Sequence, residues 1–237
     1  MRKASSPVVP RDIVLLACGW IIGSWLLTIG IRTPLLPSPS GYQTKLQLLL
    51  VLIGVGFYIG WPLLRLSQRP PRKLILDMWL DLLVLLALWQ AVFWPLDTVS
   101  HWPSGSLITL NILTCLWTIA IGGILALTLP HRSQLVRCSS MALILIITLL
   151  PLGVALVMVA QGVDPAIWTS SSPLELIRQV TSADSLASAP LSQIIVHAWI
   201  WLIGVSLATI LIWLAVLMRQ GMPQSEPTTR VKPAPDQ

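Results

Sequence analysis

Asp77 and Asp81 stand one helical turn apart in the run LILDMWLDLL, among leucines apolar enough to lie in lipid. Residues four apart share a helix face. Two carboxylates so placed at mid-membrane depth would mark a proton or cation path, because an ionised group there is costly and is kept for a purpose. Near the membrane surface the same pair would be solvated and inert. Few other side chains offer chemistry. Gln90 follows Asp81 by nine residues, half a turn round an ideal helix. His101 and His197 lie beside Trp102 and Trp199, and Asn111, Thr114 and Gln161 are scattered amides and hydroxyls. Their meaning depends on the elements that hold them.

Composition sets those elements. Of 237 residues, 55% are hydrophobic and 10% charged, where a soluble domain carries roughly 25% charged. Such a chain cannot cover itself with polar surface in water. Stretches 13–31, 46–64, 107–129, 141–163 and 194–218 contain no Lys, Arg, Asp or Glu. Each reaches the roughly 18 residues that argue for a spanning helix, and a sixth, 74–96, holds the two aspartates. The expectation is an all-α integral membrane protein, a compact bundle of six transmembrane helices spanning 12–218. Residues 1–11 and 219–237 are polar, Pro/Ser/Thr-rich or basic, and are expected to be disordered. The first apolar run is 19 residues long with no A-x-A pattern after it, so it reads as an uncleaved first span.

Basic residues orient the bundle. All but three of the 15 Lys and Arg fall before span 1, between spans 2 and 3, between spans 4 and 5, or after span 6; Arg32, Lys45 and Arg178 are the exceptions. The positive-inside bias puts both termini in the cytoplasm of a cell (inner) membrane protein. The charge of +6 follows from this asymmetry, and without a basic stripe no nucleic-acid partner is expected. Asp77 then lies about 6 Å beyond Lys73 and Asp81 about 12 Å beyond it. Asp77 is expected to reach interfacial water or Lys73. Asp81 is expected to face protein, with no Lys or Arg inside a span as its partner.

Gly19-x-x-x-Gly23, Gly56-x-x-x-Gly60, Gly122-x-x-x-Ala126 and Gly204-x-x-x-Ala208 offer small-residue faces for close helix approach. Pro151 and Gly153 predict a kink in span 5. The loop 164–193 contains SPLELIRQV, where Ser172 and Glu175 have capping-box spacing and Leu174, Ile177 and Val180 recur helically. This predicts a short amphipathic helix on the outer leaflet. Tryptophans near span ends fit an aromatic belt: Trp61 and Trp79 at the cytoplasmic side, Trp25, Trp94, Trp102, Trp168, Trp199 and Trp201 at the outer.

Catalysis finds little support. HExxH, GxSxG and a phosphate-binding glycine loop are absent from the sequence. Cys18 and Cys115 fall inside spans and Cys138 at a span end, without metal-ligand spacing. Two outward histidines near tryptophan would suit haem, but the loop DTVSHWPSGS lacks the tryptophan–aspartate cluster of haem-handling assembly proteins. No cofactor is expected, and no enzymatic activity. In topology alone the chain resembles the membrane subunits of ABC exporters, which implies a permease working with an ATPase. It departs from them in having about eleven residues before span 1 and only LSQRPPRK after span 2. The first expectation is therefore a membrane-embedded subunit or assembly scaffold, docked to a membrane-protein or cytoplasmic partner in the lipid bilayer. An ABC-exporter-like permease subunit is the alternative. The polar residues singled out are Asp81, Asp77, Gln90 and His197.

Overall fold

The computed structural model describes residues 11–30, 39–68, 74–100, 102, 104–131, 133–161, 172–174, 177 and 191–221, all helical or in short connections, with no strand among them. In chain order the helices are α1 (Arg11–Thr28), α2 (Pro39–Val55), a π-helical turn (Gly56–Gly60), α3 (Trp61–Ser67), α4 (Leu74–Ser100), α5 (Ser104–Thr128), α6 (Gln134–Ala160) and α7 (Leu191–Gly221). Val55, Gly60 and Trp61 all keep right-handed helical dihedrals, so α2, the π turn and α3 form one rod. α1 ends where Gly30 takes φ 77°, a conformation open to glycine, and its N–H reaches back to the Trp25 carbonyl at 3.3 Å. α6 continues as helix through Pro151.

Five helices are long and apolar enough to cross a membrane: the α2–α3 rod, α4, α5, α6 and α7. The sixth expected span, α1, is 18 residues long, about 27 Å against a ~30 Å hydrocarbon slab. The helices overrun the uncharged stretches, since a basic residue at a helix end stays helical where protein oxygens receive its head. The Gln134 start of α6 and the Ser67 end of α3 are examples.

α5 is the central helix. It packs against α3, α4 and α6, and most extensively against α7. Where α5 meets α7, a Cβ on Gly123 would lie 2.5 Å from Ile212 Cγ2, so the absent side chain sets that approach. Gly56 and Gly122 also sit against neighbours, whereas Gly19, Gly23, Gly60 and Gly204 have nothing within 4 Å of an added Cβ. Only half of the expected small-residue faces are therefore in use within the chain. α6 and α7 turn leucines and isoleucines outward, among them Leu143, Ile146, Leu150, Ile203, Leu207 and Leu211, as lipid-facing helices must.

Candidate functional site

The opening carboxylates separate. Asp77 is half-buried in the first turn of α4, while Asp81 is wholly buried. The expectation that Asp81 lacks a cationic partner is overturned. Arg65, in the last turns of α3, donates from Nε to Asp81 Oδ2 and from Nη2 to Oδ1, a two-pronged ion pair. Arg65 also donates from Nη1 to Gln68 Oε1 at 3.1 Å, and Trp61 Nε1 lies 3.5 Å from Asp81 Oδ2. The reason is register. The rod continues past its uncharged stretch to Ser67, and Trp61 and Arg65, four apart, share the face turned toward α4. Trp61 is 4% exposed, so it belongs to the core and not to an aromatic belt. Trp25, Trp79 and Trp94 are exposed.

A second polar group ties α4 to α5. Gln90 Nε2 and Trp89 Nε1 both donate to Asn111 Oδ1, each at 2.9 Å, with Cys115 Sγ 3.9 Å from the Gln90 amide. Asn111, Thr114, Cys115 and Thr118 follow one another along one face of α5. The buried Tyr58 hydroxyl, from the π turn, lies near Thr114 and Thr118 without the geometry of a hydrogen bond to either. Thr118 donates instead to the Thr114 carbonyl at 2.8 Å. The Trp89, Gln90 and Asn111 side chains join α4 to α5, which is the usual service of amides in lipid.

Most of the loop 164–193 lies outside the described residues, but its Ser172, Pro173, Leu174 and Ile177 are placed. Pro173, Leu174 and Ile177 are helical, as the spacing suggested, but all four residues are buried in the bundle and do not rest on the outer leaflet. Ser172 Oγ donates to the Thr148 carbonyl at 2.6 Å and accepts from the Leu174 N–H at 3.2 Å, a local cap at the expected serine. Leu174 and Ile177 lie over Gly54, whose added Cβ would come 2.9 Å from Leu174 Cδ2. Gly54 is eleven residues before Arg65 and Thr148 eleven after Arg137, each about 16 Å along its helix. The placed residues therefore lie at mid-helix depth, and Pro173, Leu174 and Ile177 are themselves helical there, enclosed by the spans.

Arg65, Arg137 and Arg219 gather at one end. Arg137 Nη1 donates to the carbonyls of Leu66 and Gln68 at 3.3 and 3.4 Å, and its Nη2 to Leu129 at 3.4 Å. Arg219 Nη1 donates to the Leu127 carbonyl at 2.9 Å and lies 3.0 Å from His131 Nε2. Cations thus serve the C-terminal carbonyls of the rod and of α5, where the helix dipole favours them. The ends of α3, α5 and α7 and the start of α6 consequently share one end of the bundle. His101 lies outside the described residues, and His197 is placed only as backbone within α7. Among the described residues no three His, Cys, Asp or Glu side chains gather closely enough to hold a metal ion.

Sequence reasoning missed Arg65, Trp61 and Gly54. The i, i+4 spacing of Trp61 and Arg65, opposite the i, i+4 spacing of Asp77 and Asp81, was the available signal for the ion pair. The helical bundle with five spanning-length apolar helices defines a multi-pass membrane protein. Comparison with known proteins finds no family model, no curated protein and no solved structure that matches this chain.

Proposed function

We propose that this chain is a membrane-embedded subunit or assembly scaffold of a larger complex, six-spanning with both termini cytoplasmic, and that it carries out no reaction of its own. One observation carries the reading. The buried carboxylate among the described residues, Asp81, is neutralised by Arg65 and enclosed by Trp61. A proton or ion relay needs titratable groups that exchange with water on both sides, and a closed ion pair serves architecture instead. Trp89, Gln90 and Asn111 join α4 to α5 and Trp213 joins α7 to α5, which leaves recognition to the outward faces and to the basic end.

A second reading, a permease subunit of an ABC-exporter-like transporter, draws on the enclosed Ser172–Ile177 segment. A re-entrant segment enclosed by protein at membrane depth recurs beside transport pathways. Co-purification from mild detergent with mass spectrometry separates the two. A stoichiometric integral membrane partner without a nucleotide hydrolase supports the scaffold. A bound ATPase supports the permease, and a chain recovered alone as a monomer overturns both.

A further inference from the structure

Where the ends of α3, α5 and α7 meet the start of α6, His131 links two guanidinium groups. Arg219 Nη1 lies 3.0 Å from His131 Nε2, and Arg137 Nε donates to the His131 carbonyl at 3.4 Å. A guanidinium has no acceptor atom, so His131 Nε2 receives the bond and the ring proton sits on Nδ1. Donors here outnumber acceptors. Arg219 spends Nη1 on Leu127 and His131, which leaves its Nε and Nη2 hydrogens without a partner among the described residues. Arg137 spends Nη1 on Leu66 and Gln68 and Nη2 on Leu129, which leaves one Nη2 hydrogen over. Every acceptor these arginines meet is a neutral carbonyl or the imidazole. Among the described residues the one ion pair is Arg65–Asp81, so Arg137 and Arg219 both keep their charge uncompensated.

We propose that Arg219, His131 and Arg137 hold the phosphate of an anionic phospholipid at this end of the bundle. A phosphate brings the missing negative charge and oxygens that only accept, and the planar guanidinium fork can grip two of them at once. The surface beside the donors selects a lipid over a soluble phosphate. Leu214, Leu217 and Met218, just before Arg219 on α7, are exposed. In a lipid the phosphate lies directly over its acyl chains, and α7 presents the same step from hydrocarbon-facing side chains to free N–H groups. A zwitterionic headgroup also carries an ammonium, which two uncompensated arginines repel. Basic sites between spans at a membrane surface recognise anionic headgroups in this way. The site does not depend on whether the chain docks a scaffold partner or an ATPase.

The test is native mass spectrometry on the full chain, delipidated in mild detergent and then given phosphatidylglycerol or phosphatidylcholine of the same acyl composition. The wild-type chain should retain phosphatidylglycerol more strongly. Arg219→Gln, whose amide can still reach the Leu127 carbonyl, should lower that retention about fivefold and leave phosphatidylcholine unchanged. His131→Ala, which removes no cap from a carbonyl, should also lower it, and it supplies the readout if Arg219→Gln fails to accumulate. Arg230→Gln makes the same change of charge in the C-terminal tail and should have no effect. Equal retention of both lipids by the wild-type chain would overturn the preference for an anion. A loss with Arg230→Gln as large as with Arg219→Gln would replace the site by overall charge. Displacement of the lipid by millimolar inorganic phosphate would overturn the lipid assignment.

Discussion

Arg65 and Asp81, sixteen residues apart in the chain, close a two-pronged ion pair inside the bundle, with the Asp81 side chain wholly buried and the Arg65 side chain 10% exposed. Removing one partner of a buried pair leaves an uncompensated charge, which costs about 3–5 kcal/mol, whereas replacing both by apolar groups of like size is often neutral. Asp81→Leu and Arg65→Leu should each lower stability by about that amount. The double variant should recover most of the loss. Melting of the four proteins in detergent, with accumulation in cells as a second readout, checks this. A double variant as unstable as the sum of the singles would refute the pairing.

Gly56 offers a contrast between two glycines of one motif. Gly56→Ala should destabilise by about 1–3 kcal/mol, because its methyl group enters the Trp20 ring, which is anchored at Leu52. Gly60→Ala, with nothing within 4 Å, should be silent or slightly stabilising through helix propensity. Paired melting curves decide it.

The enclosed segment yields to thiol labelling. In a chain whose native cysteines are replaced by serine or alanine, a cysteine at Leu174 should react slowly with an impermeant maleimide. Gly54→Leu, which occupies the place of the Leu174 and Ile177 side chains, should raise that rate at least tenfold. Ser172→Ala should raise it less, since it removes one hydrogen bond worth about 1 kcal/mol.

Topology has a native reporter. Cys138 is exposed one residue after Arg137, at the basic end. Impermeant maleimide should leave it unlabelled in intact cells and label it in inverted vesicles. Cysteines placed in 97–106 should behave in the opposite sense. The reverse pattern would overturn the charge-derived orientation.

The helices were legible because lipid demands long apolar runs, and α4 starts at Leu74 as its run does, two aspartates notwithstanding. The partner of Asp81 was not, because charge was read as the end of a span. Arg65 lies one residue past an uncharged stretch and was placed in a loop, although helix continues to Ser67. The serine cap at Ser172 was also readable from spacing. Its destination was not. Gly54 and Leu174 meet across more than a hundred residues, and no local pattern in either segment specifies the other. Gln90 and Asn111 stand out in the sequence as polar groups within apolar runs, but only tertiary register gave them to one another.

The helices that share the ion pair are neighbours in the chain, with only residues 69–73 between them, and this bears on biosynthesis. A lone arginine or aspartate costs roughly 2.5–3.5 kcal/mol at the centre of an inserting helix. The rod and α4 can leave the insertion machinery together as a hairpin whose two opposite charges are already joined, so that neither is exposed to lipid unpaired. The pair can thus close before α5 is made, so that α5 packs against a rod and an α4 already held to one another.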